Sequence, residues 1–303
     1  MINIFGRCLA GFVAAVFLTL APASRAEEAR GGILLLAHGA HAHPGHAHHS
    51  AAGVWNANVE HLARSLDGRR PTEVAFGMAD PQSIQAAVDR LERRGIKEIA
   101  AIPLFVSSHS PIIGNFRYIL GLQAELAKTT RLRHLERVSS TAQFRFAGAM
   151  DAHALVSEIV LERALTVTAD PATTSVVLIA HGPNDAEENR LWLRDMEAHA
   201  RFLRERGGFR GVDVLTHRND APGPVKAEAR AAFRQRVAEA AENGVVVVVP
   251  LLLSVAGIEA ELEADLNGLA YRFAQPLMPH PNIGRWVEAE AETLLGHGTR
   301  PTE

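Results

Sequence analysis

Histidine is the residue type in this sequence that most clearly offers chemistry. The chain contains 15 histidines, and six of them fall between residues 38 and 49. Two more, His109 and His181, follow apolar runs later in the chain. Neutral imidazole is a good ligand for borderline divalent metals such as Co²⁺, Fe²⁺, Ni²⁺ and Zn²⁺. The sequence therefore points first to metal-binding chemistry.

The predicted secondary structure places two of these histidines at one edge of a sheet. Residues 32–39 form a continuous apolar run bounded by glycines, which is typical of a buried parallel strand. A later run, residues 98–106, predicts a third strand, and a polar loop with His109 follows it. First and third strands are neighbours when the strand order is 2-1-3, and ligands bind outside the carboxyl ends of such strands. We therefore expect His38 and His109 to face each other and to share a metal ion with open coordination positions.

The second half of the chain repeats this plan. Residues 175–182 match residues 33–39 in character, and both runs end in Ala-His-Gly. Residues 245–253 correspond in the same way to residues 99–106. Strands alternating with helices predict right-handed crossovers and an open sheet. The expected fold is α/β, with two similar Rossmann-like domains that have parallel sheets and arose by internal duplication.

The N-terminus has the pattern of an export signal. Arg7 precedes an apolar run from Cys8 to Leu20, and Ser24 and Ala26 offer the small residues of a cleavage site. The run is short for a membrane span, which needs about 20 apolar residues, although an uncleaved anchor is the alternative. We predict a signal peptide over residues 1–26, domains over 27–147 and 148–303, and an exported, periplasmic protein without a stable membrane span. The single cysteine, Cys8, would leave with the signal.

Composition and motifs exclude several other classes of function. The formal net charge of −3 gives no basic footprint for nucleic acid. Neither Gly-x-Gly-x-x-Gly nor a Walker-type loop is present, so no nucleotide cofactor is expected. The Gly-x-Ser-x-Gly elbow of one large class of hydrolases is also missing.

A histidine-rich tract follows His38 directly. Its spacing matches no zinc-finger pattern, and its glycine and proline residues favour flexibility. We interpret it as an auxiliary site that gathers metal and passes it to His38. The alternatives are a solvated loop with incidental metal affinity and a pH-sensitive tail of the site. The tract contributes His41, His43, His46, His48 and His49.

The strand-His-Gly start, the Ile-Pro-Leu-Phe-Val strand with a loop histidine, and the duplication together resemble the class II tetrapyrrole metal chelatases. The resemblance spans roughly residues 32–295 and implies two Rossmann-like halves around a cleft. It implies that a divalent metal is inserted into a tetrapyrrole without a nucleotide. His38 and His109 match the two metal-binding histidines of the sirohydrochlorin type. His181 and Glu259 are similar to the histidine and glutamate pair of protohaem ferrochelatases.

The sequence departs from that family at several positions. The usual His-Gly-Ser is His-Gly-Ala at His38 and His-Gly-Pro at His181. Ile258 stands where a histidine would be expected after Ala-Gly. Glu259 also fits a helix start, where acidic residues favour the positive end of the dipole, so a structural role is the alternative for it.

Two functions remain open from the sequence. The first is a chelatase that inserts Co²⁺, Fe²⁺ or Ni²⁺ into a tetrapyrrole such as sirohydrochlorin. The alternative is an exported metal-binding or metal-delivery protein on the same scaffold, without catalysis. Proton removal requires a base, which the sequence does not identify. Other charged residues expected at the same edge, as bases or as partners of substrate carboxylates, are Asp80, Asp185, Glu187, Glu188, Arg117 and Arg190.

Overall fold

A computed structural model describes residues 31–39, 49–126, 128–132, 134–254 and 258–296. The predicted export signal lies outside these residues, as do His41, His43, His46 and His48. For His49 the backbone alone is described. None of the helices in the described part of the chain is long and apolar enough to cross a membrane.

The N-terminal half folds around a four-stranded parallel sheet with the order β2-β1-β3-β4. Asp80 caps helix α2 by accepting a hydrogen bond from the Gln82 N–H at 3.0 Å, and Pro81 takes the first helical position. The predicted order 2-1-3 is confirmed. The elements are β1 (Gly31–Ala37), α1 (His49–Asp67), β2 (Thr72–Phe76), α2 (Pro81–Arg93), β3 (Glu98–Leu104), α3 (Pro111–Ile119) and β4 (Gln143–Phe146).

The C-terminal half repeats this topology with the strand order β6-β5-β7-β8, again fully parallel. The predicted α/β fold with two similar Rossmann-like units is therefore confirmed. The loop before this half, residues 147–153, contains the predicted domain boundary. The elements are α4 (Ala154–Thr166), β5 (Thr174–Ala180), α5 (Ala186–Gly207), β6 (Gly211–Thr216), α6 (Gly223–Ala241), β7 (Val245–Pro250), α7 (Ile258–Asp265), β8 (Arg272–Phe273) and α8 (Pro281–Leu295).

The period-two alternation of the strands divides the core into three layers of side chains. Ile33 and Leu35 of β1 and Val176 and Leu178 of β5 share one cluster with apolar residues of α1, α4, α5 and α8. Leu34 of β1 and the other alternate residues of the first sheet pack on α2 and α3. Those of the second sheet pack on α6 and α7. Four helices therefore lie between the two sheets and join the halves through one apolar core.

The last helix ties the two ends of the chain together. Helix α8 follows the second sheet in sequence but packs against β3 and α1 of the first half. Its Trp286 is fully buried in the shared cluster. The two halves cannot move apart without exposing this surface, so the edge where they meet is held in place by the core.

Candidate metal site at the strand ends

His38 leaves the carboxyl end of β1 with one ring nitrogen already fixed. Its Nδ1 lies 2.8 Å from the carbonyl oxygen of Gly39, and a carbonyl can only accept, so Nδ1 carries the proton. The imidazole is exposed, and Nε2 has no hydrogen-bond partner among the described residues. Metal-binding histidines commonly donate their second nitrogen to a carbonyl or carboxylate in this way. His38 is therefore oriented to offer Nε2 to an ion.

The glycine after each strand-end histidine is required by its surroundings. Gly39 has φ 65° and Gly182 has φ 73°, in the left-handed region. A Cβ atom would lie 2.8 Å from the Phe76 Cβ at Gly39 and 2.5 Å from the Thr216 Cβ at Gly182. The repeated Ala-His-Gly sequence therefore forms the same tight turn in both halves, beside β2 in the first and beside β6 in the second.

His109 lies in the loop after β3, the neighbour of β1 in the sheet. Ala37 and Leu104 are paired in the register, so the chains leave the two strands at the same edge. The backbone N–H of His109 donates to the Ser107 hydroxyl at 3.1 Å, and its carbonyl accepts from the Trp192 indole at 2.6 Å. The structure confirms that His38 and His109 emerge from adjacent strands, and Trp192 of α5 holds the second of them from the other half.

Asp195, also on α5, is the acidic partner of His109. Its Oδ2 lies 3.1 Å from the His109 Nε2, and its side chain is only 13% exposed. The Arg194 guanidinium lies 3.3 Å from the same Nε2 and also contacts Oδ1 of Asp195. Nδ1 of His109 has no hydrogen-bond partner in the described chain. Because a guanidinium can only donate, Nε2 accepts from Arg194 in this arrangement, and the buried Oδ2 of Asp195 has no hydrogen-bond partner in the described structure. A proton on Nε2 would instead face this carboxylate and would leave Nδ1 available to an ion.

His109 also belongs to a compact group of potential ligands. Its ring nitrogen and carboxylate oxygens of Asp151 and Asp195 lie within 4.8 Å of one another, and the described residues form no other such group. Both oxygens of Asp151 accept from Ser108, at 2.6 Å from the backbone and 2.7 Å from the hydroxyl. Since these bonds and Arg194 already satisfy much of the group, an ion there would have to displace existing partners.

Helix α5 reaches the loop of Asp151 through a buried histidine. His199 donates from Nε2 to the Asp151 carbonyl at 2.8 Å and accepts at Nδ1 from the Ser157 hydroxyl at 2.7 Å. Burial lowers the pKa of His199, and its hydrogen bond to Asp151 and the nearby acidic charges only partly offset this. The neutral ring therefore holds Asp151, whose backbone has φ 41°, beneath the His109 loop.

This arrangement predicts a specific loss of stability in acid. A pKa lowered in the folded state means that the unfolded chain binds the His199 proton first, so stability is full above about pH 6.5 and falls as pH decreases below it. In His199→Gln this contribution to the pH dependence should disappear. Urea unfolding at pH 7.5 and pH 5.5 tests the prediction, with the exposed His61→Gln as control. If the free energy of unfolding falls by the same amount from pH 7.5 to pH 5.5 in His199→Gln as in the unmodified chain, the prediction is contradicted.

His181 of the second half has both ring nitrogens engaged. Nδ1 donates to the Gly182 carbonyl at 2.7 Å, and Nε2 lies 3.2 Å from Oδ2 of Asp220. Burial acts to lower the pKa of His181, but the bonds to Asp220 and Gly182 and the charge of Glu261 outweigh it, and the pKa is raised. The raised pKa favours the protonated ring of His181, and its predicted metal role would require Asp220 to move away from Nε2.

Glu259 stands in the first turn of α7, next to the acidic Glu261. Burial, and then the charge of Glu263, raise the pKa of Glu259 to about 7. Its Oε1 is buried and has no hydrogen-bond partner in the described structure. A carboxyl with this pKa can hold or release a proton near neutrality, which is what proton transfer requires.

The other charged residues expected at the edge have structural partners. Asp80 and Asp185 cap α2 and α5, and Glu187 pairs with Arg190 at 2.5 Å in an exposed position. Arg117 lies over the Phe146 ring at 5.0 Å from its centroid. These contacts give the residues structural roles at helix ends and on the surface.

Several residues of the site were not identified from the sequence. Asp151, Asp195 and Asp220 are isolated carboxylates with no motif around them, and Trp192 and Arg194 look like ordinary residues of an amphipathic helix. Only the spacing of Trp192, Asp195 and His199 could have indicated them, since it puts all three on a single face of α5.

Comparison with known proteins agrees with this geometry. The model of the CbiX family matches residues 32–167. This match shows that the N-terminal half of the chain is similar to the CbiX family. The predicted relationship to class II chelatases is therefore confirmed. A search of curated proteins found no match.

Solved structures of CbiX-like proteins share the fold of both halves. Bacillus subtilis SirB with Fe³⁺ superposes with a TM-score of 0.62 at 18% identity, covering 88% of this chain and 96% of that one. CbiX, described as the terminal enzyme of siroheme biosynthesis in denitrifying bacteria, gives 0.54 at 16% identity, with 87% and 99% covered. A multi-domain Deinococcus radiodurans protein with structural similarity to chelatases gives 0.54 at 22% identity; 91% of this chain is covered but only 57% of that protein.

Within this CbiX-like framework, Asp195 should control how well His109 binds metal. Replacing it by asparagine removes the carboxylate that faces Nε2 while keeping the side-chain shape. Loss of such a partner typically costs about 10–100-fold in metal affinity. Cobalt titration of Asp195→Asn followed by calorimetry should show this weakening. Glu197→Gln, an exposed change on the same helix, should bind as the unmodified chain does. Equal affinity in both variants would contradict the role of Asp195.

Proposed function

We propose that this protein inserts a divalent metal ion into a tetrapyrrole, with sirohydrochlorin as the expected substrate and Co²⁺, Fe²⁺ or Ni²⁺ as the metal. The observation that carries the proposal is the pair of prepared imidazoles at one sheet edge. His38 has Nδ1 fixed by the Gly39 carbonyl, and His109 has Nε2 beside Asp195. His38 would offer Nε2, and His109 would offer Nδ1 when its proton is on Nε2 facing Asp195, to an ion that is held only until it is transferred.

The relatives support the chemical class of this proposal. A solved SirB from B. subtilis subspecies spizizenii, at 14% identity and a TM-score of 0.59 over 88% of this chain and 98% of that one, is described as a sirohydrochlorin chelatase in complex with cobalt. Imidazole ligands suit both iron and cobalt, so the donor set is compatible with either ion. No nucleotide enters the reaction, because the entering dication replaces two protons on the pyrrole nitrogens.

Two roles follow for the residues of this chain. His38 and His109 would hold the metal ion and release it to the macrocycle, using at most two protein ligands so that positions stay open. Glu259 would accept a pyrrole proton, since its pKa of about 7 leaves a large fraction ionised at neutral pH. His181, whose pKa is raised mainly through Asp220, would offer a positive charge to the anionic macrocycle when it is protonated.

The proposed location is outside the cytoplasm, on the basis of the signal-like residues 1–26. Fractionation of cells that express the full chain tests it, with N-terminal sequencing of the product. A periplasmic protein that begins after Ala26 would support export. A cytoplasmic protein that keeps its first residues would contradict it.

Metal insertion followed by absorbance tests the proposed reaction directly. The full chain should accelerate the loss of the free-base spectrum of sirohydrochlorin in the presence of Co²⁺ or Fe²⁺, with protoporphyrin measured beside it. A rate equal to that of the metal and macrocycle without protein would contradict the chelatase function.

A metal-binding or metal-delivery role is the second candidate, and the histidine tract is what favours it. Deleting residues 40–49, which contain the tract histidines, separates the two functions. If the tract gathers metal for a chelatase, insertion at dilute Co²⁺ should fall about tenfold while insertion at saturating Co²⁺ survives, since a gathering site matters only when free metal is scarce. A protein that binds Co²⁺ through the tract but inserts none at any concentration would support the delivery role instead.

A further inference from the structure

A segment of the N-terminal half crosses to the C-terminal half beside the site. Residues 128–132, here called the bridging segment, lie in the irregular connection between α3 and β4. Asn115 of α3 donates to the Thr130 hydroxyl at 2.8 Å. The Thr129 hydroxyl donates to Oε1 of Glu188, in the first turn of α5, at 2.8 Å. The bridging segment is thus attached to both halves.

The bridging segment lies near charged residues that surround two strand-end histidines, His109 and His181. Burial raises the pKa of Glu188, while Thr129 and the charge of His109 act in the opposite direction, so Glu188 lies within electrostatic range of His109. The pKa of Asp220 is lowered by His181, and the charges of Lys226 and then Arg131 add to this effect. Thr129 and Arg131 are two residues apart, which is at most about 7 Å of chain. The bridging segment therefore lies between the environments of His109 and His181.

The bridging segment brings positive charge to an acidic rim. The C-terminal half presents Asp185, Glu188, Asp220 and Glu261 around this position, and Lys226 lies 3.8 Å from Glu261 as its cationic partner. Such a rim repels an anionic ligand unless cations compensate it. Lys128 and Arg131 are both exposed, and neither forms a hydrogen bond or an ion pair within 4.0 Å with any described residue. Of the two, Arg131 is the one shown to lie within electrostatic range of the Asp220–His181 pair.

We propose that Arg131 is a substrate-recognition residue that binds a carboxylate side chain of the tetrapyrrole. The proposal rests on the proposed function and specifies which tetrapyrroles the site would distinguish. A guanidinium offers paired N–H donors that match both oxygens of a carboxylate. A macrocycle with carboxylates on every ring, such as sirohydrochlorin, can place one at Arg131 in any productive orientation. Protoporphyrin, with carboxylates on one side only, gains little from this contact.

Equilibrium binding without metal tests the proposal independently of catalysis. Quenching of tryptophan fluorescence reports binding, since Trp192 lies against the His109 loop. Arg131→Gln should raise the Kd of the full chain for metal-free sirohydrochlorin about fivefold and reduce its salt dependence. Arg131→Lys should keep most of the salt dependence, and protoporphyrin binding should change less than about twofold. Arg93→Gln, an exposed arginine at the far end of α2, is the matched control.

The outcomes separate this inference from the chelatase function. Unchanged sirohydrochlorin affinity and salt dependence in Arg131→Gln, or an equal loss in Arg93→Gln, would overturn the role of Arg131 even if metal insertion proceeds. Weaker binding in Arg131→Gln by a chain that inserts no metal would support the role of Arg131 and contradict the chelatase function. A chain that binds no sirohydrochlorin would overturn both.

Discussion

Metal insertion by the His38→Ala and His109→Ala variants is expected to fall by at least about a hundredfold, while both proteins remain folded. Each substitution removes one of the two nitrogens proposed to hold the ion, and a site with one remaining ligand binds a divalent cation weakly. Loss of an oriented ligand therefore affects both the supply of metal and its alignment with the macrocycle. Insertion rates over a range of Co²⁺ concentrations provide the measurement.

The control for this pair is His61→Ala, an exposed histidine on α1 that lies beside Met278 and Pro279. It should insert metal at the rate of the unmodified chain. His181→Ala adds a discriminating comparison. If His181 acts as a fixed charge, its loss should weaken macrocycle binding more than metal binding. Full activity in both His38→Ala and His109→Ala would contradict the metal site proposed here.

Glu259→Gln is expected to lower the insertion rate at saturating metal and macrocycle by about a hundredfold, the scale of a lost general base. The pH profile gives the sharper result. With a pKa of about 7, Glu259 becomes ionised as pH rises, so the rate of the unmodified chain should increase between about pH 6 and pH 8. The variant cannot ionise at this position and should lack that increase.

Glu263→Gln provides a matched test of the cause. The charge of Glu263 contributes to the raised pKa of Glu259, so its removal should move the rise in rate to lower pH without abolishing it. Glu239→Gln, on the exposed face of α6, should leave the profile unchanged. A Glu259→Gln variant with the rate and profile of the unmodified chain would show that the proton goes elsewhere.

The sequence was sufficient for the fold because the decisive patterns are local. Apolar runs bounded by glycine defined the buried strands, and Asp80 before Pro81 marked the start of α2. The repeat of Ala-His-Gly then revealed the duplication. Each of these patterns depends on a few consecutive residues and on turn geometry that only glycine tolerates. Such patterns can therefore be recognised without knowledge of tertiary packing.

The partners of the site depend on packing between the halves and could not be obtained in the same way. Asp195 faces His109 only because α5 is held against the first half by the shared core. Arg131 approaches Asp220 only because an irregular connection crosses between the halves. No periodicity encodes such contacts. The difference between His38 and His181 likewise depends on Asp220, which lies in a loop beyond β6.

The most direct test of the central claim is the position of a bound cobalt ion, located by anomalous diffraction from crystals of the full chain soaked in Co²⁺. We predict one strong peak with His38 Nε2 and His109 Nδ1 both at about 2.0–2.2 Å, and with Asp195 still facing His109 Nε2. A peak among His109, Asp151 and Asp195 without His38, or a peak on His181 alone, would contradict it.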